Sequence, residues 1–116
     1  NIEGKVLADT NEDGINEAIT NYDVVVEALD SNGDVVSSTL ASVKDSEEKE
    51  AGSFLLRGLS EGDYVINAYA IDENDNKVYE LPASKKPGGS NEINTSITAG
   101  ENTVIENDII LEKVIQ

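Results

Sequence analysis

The chain has 116 residues, with 24 Asp and Glu against 8 Lys and Arg, a net charge of −16, no histidine and no cysteine. That length supports one domain with a core of its own, and the absence of thiols excludes a disulfide framework. The acidic surplus argues against nucleic acid and anionic membrane surfaces as partners, because both demand a basic face.

In chain order, Ile2 to Ala8 reads as a first strand, with Val6 a core residue. The stretch that follows, Asp9-Thr10-Asn11-Glu12-Asp13-Gly14-Ile15-Asn16-Glu17, places oxygen-bearing side chains at every second residue ahead of a glycine. Such a loop curls around a hard cation. Asp9, Asn11 and Asp13 each present an oxygen, Gly14 permits the sharp turn, the Ile15 carbonyl adds a backbone ligand, and Glu17 stands at the ninth position, where a ligand often acts through water. Calcium, which takes six to eight oxygens, is the cofactor expected here. The twelfth position, which in an EF-hand holds a bidentate Glu, is Thr20, and the flanks read as strands rather than helices. An acidic turn whose side chains cap backbone amides is the alternative.

No helical period is sustained, and short β-rich runs are separated by turns, so an all-β fold is expected: a Greek-key sandwich of seven to eight strands. Tyr22 to Leu29 alternates so that Val24, Val26 and Ala28 share a buried face. Asp30-Ser31-Asn32-Gly33-Asp34 is a hairpin signal, because Asn-Gly tolerates positive φ, and Val35 to Ala41 returns. After the polar segment Ser42 to Glu50, strands are expected at Gly52 to Arg57, Asp63 to Ile71, Lys77 to Leu81, Glu92 to Thr98 and Asn102 to Val114. Asp72 and Asn74, in the turn Asp72 to Asn76, have the alternation of a second cation site, but Lys77 stands where the glycine should be. If every run crosses the sandwich once, the loops at 9–20, 42–51, 72–76 and 99–102 share one end and gather half of the acidic side chains there. The missing calcium ligand is then expected from a neighbouring loop.

The segment Gly52-Ser-Phe54-Leu-Leu-Arg-Gly58-Leu59-Ser-Glu-Gly62-Asp-Tyr64-Val-Ile66 resembles a stretch shared by the B-type repeats of serine-aspartate adhesins, the B domains of collagen adhesins and the carboxypeptidase regulatory-like, transthyretin-like domains. Gly4 to Gly14 is similar to the opening of the adhesin repeats, calcium loop included, and Ala99 to Leu111 resembles the closing strand pair of the regulatory-like modules. The resemblance implies an immunoglobulin-like or transthyretin-like sandwich, one module spanning 1–116 of a longer multidomain protein, and a bacterial secreted or cell-surface location. In collagen-adhesin relatives a Lys–Asn cross-link forms beside a buried Glu. Lys5 and Asn107 lie on strands of the right kind, but the acid's position holds Ala68, and Lys5 has the parity opposite to Val6.

Read on its own physics, Leu59 plugs an end of the core, and Tyr64 buries its ring and sends its hydroxyl to a backbone partner near a corner. Without histidine or cysteine, the commonest catalytic bases and nucleophiles are missing, and Glu47 with Glu50 reads as a solvated face rather than a glycosidase dyad. The expected role is therefore non-catalytic: a calcium-stabilised spacer or stalk, with adjacent domains of the same chain as partners. The alternatives are a binding module, gripping a carbohydrate or protein or packing on a neighbour as cellulosomal X modules do, and an acidic, salt-adapted sandwich with no specific ion. Among the tyrosines, Tyr79 is the expected exposed sugar platform, whereas Tyr22, Tyr64 and Tyr69 read as structural.

Overall fold

The computed structural model describes residues 1–10, 14–41, 51–98, 100–105 and 107–114. Among the described residues nine strands are formed: β1 (Ile2–Ala8), β2 (Asp23–Leu29), β3 (Val35–Leu40), β4 (Ser53–Leu56), β5 (Gly62–Ile71), β6 (Lys77–Glu80), β7 (Ile93–Ile97), β8 (Thr103–Val104) and β9 (Ile109–Lys113), with one 3-10 turn at Ala83–Lys85. They make an all-β sandwich in which one mixed sheet curls over itself. Its strand order is β3-β2-β5-β6-β9-β1-β4, with β7 also paired to β5 and β8 also paired to β1. Among the described residues no helix is long and apolar enough to cross a membrane.

Period-two alternation builds the core. On β2, Val24, Val26 and Ala28 face inward, and on β5, Tyr64, Ile66, Ala68 and Ala70 do the same, with Ala70, Ala68 and Ile66 opposite Val24, Val26 and Ala28 across the antiparallel ladder. Ile2, Val6 and Ala8 of β1, Phe54 and Leu56 of β4, and Ile109 and Leu111 of β9 supply the opposite wall. No buried residue among those described is polar or charged. The core is therefore held by apolar area at about 25 cal/mol per Å² rather than by ion pairs. Lys5 alternates outward from Val6, Ala68 is inside, and no carboxylate is buried among the described residues.

The corner between β4 and β5 matches its sequence signature. Tyr64 is buried, and its hydroxyl donates to the Ser60 carbonyl at 2.7 Å, while Leu59 packs against the core. Gly4 is a second close approach, since a Cβ there would meet the Phe54 ring at 3.0 Å.

Two expectations change. The run from Asn102 to Val114 is not one strand. β8 lies parallel to β1 at Ile2 and Glu3, and β9 resumes parallel to it at Val6 to Ala8. Between those pairings β1 advances three residues and its partner five, so the surplus breaks the strand. Nor does every run cross the sandwich. β6 and β7 both lie on one edge of β5 and run in the same direction, β6 against Tyr69 to Ile71 and β7 against Gly62 to Ile66. One crossing is therefore lost, and the loop at 98–102 moves to the opposite pole. There Gly100, Glu101 and Asn102 lie beside Asn1 and Leu59 to Glu61, and Thr103 N–H donates to the Asn1 carbonyl. Glu101 accordingly leaves the acidic pole assigned to it. The loops after β1 and β5 remain together at that pole.

Candidate metal centre

The segment after β1 is closed at its base. Ala8 and Glu17 exchange both backbone hydrogen bonds at 2.9 Å, an isolated antiparallel bridge that pins the two ends of an eight-residue loop. Ile19, two residues on, is buried and anchors the exit to the core. Gly14 adopts φ +82°, a left-handed conformation an L side chain rarely takes, and its N–H donates to Asp9 Oδ2 at 2.9 Å. The first acid and the glycine of the motif are thus tied across the loop. Glu17 Oε1 accepts from the Thr10 N–H at 3.3 Å and from the Thr10 hydroxyl. Ile15 turns its side chain outward, 67% exposed.

Asp9, Gly14, Ile15 and Glu17 therefore sit on one closed loop. Asn11 and Asp13 lie outside the described residues, as do Asp45, Glu47, Glu48 and Glu50. Among the described residues no group of three or more His, Cys, Asp or Glu gathers closely enough to hold an ion. Thr20 is exposed and borders a shallow depression with Asn21, Tyr22, Asp23, Asp72 and Glu73, where the loop meets the β5–β6 turn. The donors in question are carboxylates, an amide and a carbonyl, all hard oxygens, which suit calcium and not a soft transition metal. Thr10 had no role in the spacing argument, because it occupies an intervening position. Its partnership with Glu17 follows from the Ala8–Glu17 bridge, which sequence spacing does not reveal.

The base of the loop rests on a second segment. Val6 N–H donates to the Gly52 carbonyl at 2.8 Å. A Cβ on Gly52 would lie 2.8 Å from the Val6 carbonyl oxygen and near Ala18, and its φ is +89°. Only glycine fits there.

Asp72 and Asn74 are arranged differently. Asp72 Oδ1 accepts from the N–H groups of Asn74 at 2.9 Å and Asn76 at 3.0 Å. Asp75 takes φ +64°, and the turn closes with Asp72 N–H donating to the Asn76 carbonyl. The β2–β3 hairpin repeats this pattern: Asp30 Oδ1 accepts from Asn32 and Asp34, and Gly33 is at φ +82°. These amide donors hold the Asp72 carboxyl below its ordinary value, the Asn76 N–H contributing most. Both hairpins are turns capped by their own first residue.

The tyrosines exchange the roles expected of them. Tyr79 is 7% exposed and packs against Tyr22, with ring centroids 6.2 Å apart. It pairs with Ala70, an inward position, just before the register shift in the β5–β6 ladder. Tyr69 points outward. Its hydroxyl donates to Glu27 Oε2 at 3.4 Å, Asn67 Nδ2 donates to Glu27 Oε1 at 3.0 Å, and Lys77 Nζ lies 4.8 Å from the Tyr69 ring centroid. Partial burial, then the Glu27 carboxylate, push the Tyr69 phenol above its ordinary value.

Compared with protein-family models, with curated proteins and with solved structures, the chain finds no match in any of the three.

Proposed function

We propose that this domain is a calcium-stabilised, non-catalytic spacer module of a bacterial secreted or cell-surface protein. The observation that carries the reading is the closure of the loop at 9–17. Its ends are bridged at Ala8 and Glu17, and its first acid is tied to its glycine. The two ends of the loop are therefore fixed before any ion binds, and less loop entropy remains to be lost on binding one. Asp9, Asn11, Asp13, the Ile15 carbonyl and Glu17 are the residues that would hold calcium. The ion would offset the mutual repulsion of their carboxylates.

The spacer role draws support from the path of the chain. β1 begins at one pole, and β9, parallel to it, ends at the other. Parallel β1 and β9 suit a module that transmits length between its two poles. The loop at 9–17 lies at the pole toward which both strands run, and an ion there would stiffen that end of the sandwich. With free calcium at 100 times the dissociation constant the gain is about 2.7 kcal/mol, and it is less for the weak sites common in extracellular modules.

The sugar-binding alternative loses its platform, because Tyr79 is inside and the Tyr69 ring is covered by Lys77. Protein binding is favoured by Val36 and Leu40, large apolar side chains left on the outer sheet face at 48% and 59% exposure.

The test is a thermal melt in chelator, then in millimolar calcium, with magnesium and matched ionic strength as controls. A rise specific to calcium that disappears in Asp9→Ala and Asp13→Ala supports the spacer. Equal shifts in every salt would mean screening of the net charge only, and the salt-adapted reading would replace it.

A further inference from the structure

The strand registers lay out the solvent side of β3, β2 and β5. Between the inward positions of β2 and β5, the outward residues Val25, Glu27 and Leu29 stand opposite Tyr69, Asn67 and Val65. β3 continues each pairing: Leu40 lies opposite Val25, Ser38 opposite Glu27 and Val35 opposite Leu29, and the register shift between them adds Val36 to the same face. Three rows therefore cross the strands. The middle row is polar and holds Glu27, and the rows on either side of it are mainly apolar. Val35, Val36 and Leu40 are large apolar side chains left 51%, 48% and 59% exposed here. Apolar side chains grouped on one exposed face mark an interaction surface more often than ones scattered singly.

Glu27 is held in place but not neutralised. Its Oε1 accepts from Asn67 Nδ2 at 3.0 Å and its Oε2 from the Tyr69 hydroxyl at 3.4 Å, both uncharged donors. Glu80, opposite Tyr69 on β6, is answered by Lys86 at 2.6 Å, whereas among the described residues no lysine or arginine forms an ion pair with Glu27. Lys77 lies instead over the Tyr69 ring, its Nζ 4.8 Å from the centroid. A carboxylate oxygen has two lone pairs, so each oxygen of Glu27 keeps one for a further donor. The half-buried carboxylate has lost part of its hydration to the apolar rows, and the two neutral donors fix where it points. A guanidinium, with its parallel N–H groups, satisfies both oxygens at once. A second copy of this chain is disfavoured as the occupant, because a net charge of −16 repels it.

We propose that the outer face of β3, β2 and β5 is a docking surface for another protein, one that presents an arginine set among apolar side chains. The guanidinium meets Glu27, and the apolar side chains around it cover Val25, Leu29, Val36 and Leu40. This goes beyond the spacer reading and does not require calcium.

The test is chemical-shift mapping by NMR on the whole 116-residue domain. The probe is a short acetylated and amidated peptide with one arginine between leucines, and the control replaces the arginine with citrulline, which has a similar shape and no charge. At about 0.15 M salt, where exposed charges are screened beyond about 8 Å, the arginine peptide should give saturable shifts at Val25, Glu27, Leu29 and Leu40. The citrulline peptide should bind about tenfold more weakly, and Glu27→Gln should weaken the arginine peptide by about the same factor. Leu40→Ser, at an exposed position that leaves the core intact, should weaken it about fivefold without moving the melting temperature. Equal binding of the two peptides, undiminished binding by Glu27→Gln, or shifts confined to the acidic loops would overturn the proposal. So would concentration-dependent shifts on this face without peptide, which would assign it to a second copy.

Discussion

The loop at 9–17 and the turn at 72–76 begin with the same alternation of Asp and Asn, yet they handle their carboxylates in different ways. In the turn, five residues reverse the chain, and Asp72 Oδ1 is engaged by two of its own amides. In the loop, closure comes from the Ala8–Glu17 backbone bridge. Asp9 reaches Gly14 and Glu17 reaches Thr10, with further oxygen donors in sequence between them. The same alternation of Asp and Asn thus caps a tight hairpin at 72–76, whereas at 9–17 the chain is closed by backbone bonds at its base.

The largest expected effect breaks the loop's foundation. Gly52→Ala forces a Cβ into the Val6 carbonyl at a left-handed φ and should cost about 3 kcal/mol, read as a lower denaturation midpoint with unchanged slope. Next, saturating calcium should raise the melting temperature by about 10 °C, the equivalent of about 2.7 kcal/mol. Asp9→Ala should abolish that rise, whereas Asp72→Ala should keep it; loss of the response in both would erase the distinction between the two regions.

Tyr64→Phe, distant from both, removes the bond to Ser60 and should cost about 1 kcal/mol in equilibrium unfolding. A smaller effect concerns acid. The Asp72 carboxyl titrates lower in the folded chain than in the unfolded one, so its contribution is present above the unfolded value, near 4, and is lost as pH falls through the folded one. Asp72→Ala should therefore flatten the fall in stability at acid pH, measured by denaturant midpoints. Smallest is a spectroscopic change. The Tyr69 phenol should ionise above the ordinary tyrosine range in an absorbance titration, and Glu27→Gln should bring it part of the way back. A raised phenol contributes stability below the unfolded value and loses it as pH rises through the folded one.

Much of the architecture was legible in the sequence, because its causes are local. Val24, Val26 and Ala28 announced a buried face by period two, Asn32-Gly33 announced a turn by its need for positive φ, and Gly58-Leu59 with Tyr64 announced a corner. The candidate site was legible to the extent that spacing defines it. The partnership of Thr10 with Glu17 and the rest of the loop on Gly52 were not, because both join residues that only the closed loop and the docked strand bring together.

Sequence alone determined which segments extend, which reverse and which face of each extended segment is apolar, because backbone sterics and side-chain period act over a few residues. Only the tertiary structure decided that β6 and β7 share one edge of β5, that the last run breaks to follow β1, and that Tyr79 turns in while Tyr69 turns out. Those outcomes depend on which strand edges were left to pair and on a register shift between two strands. Both are settled by the whole sheet closing around one core rather than by any segment's own preference.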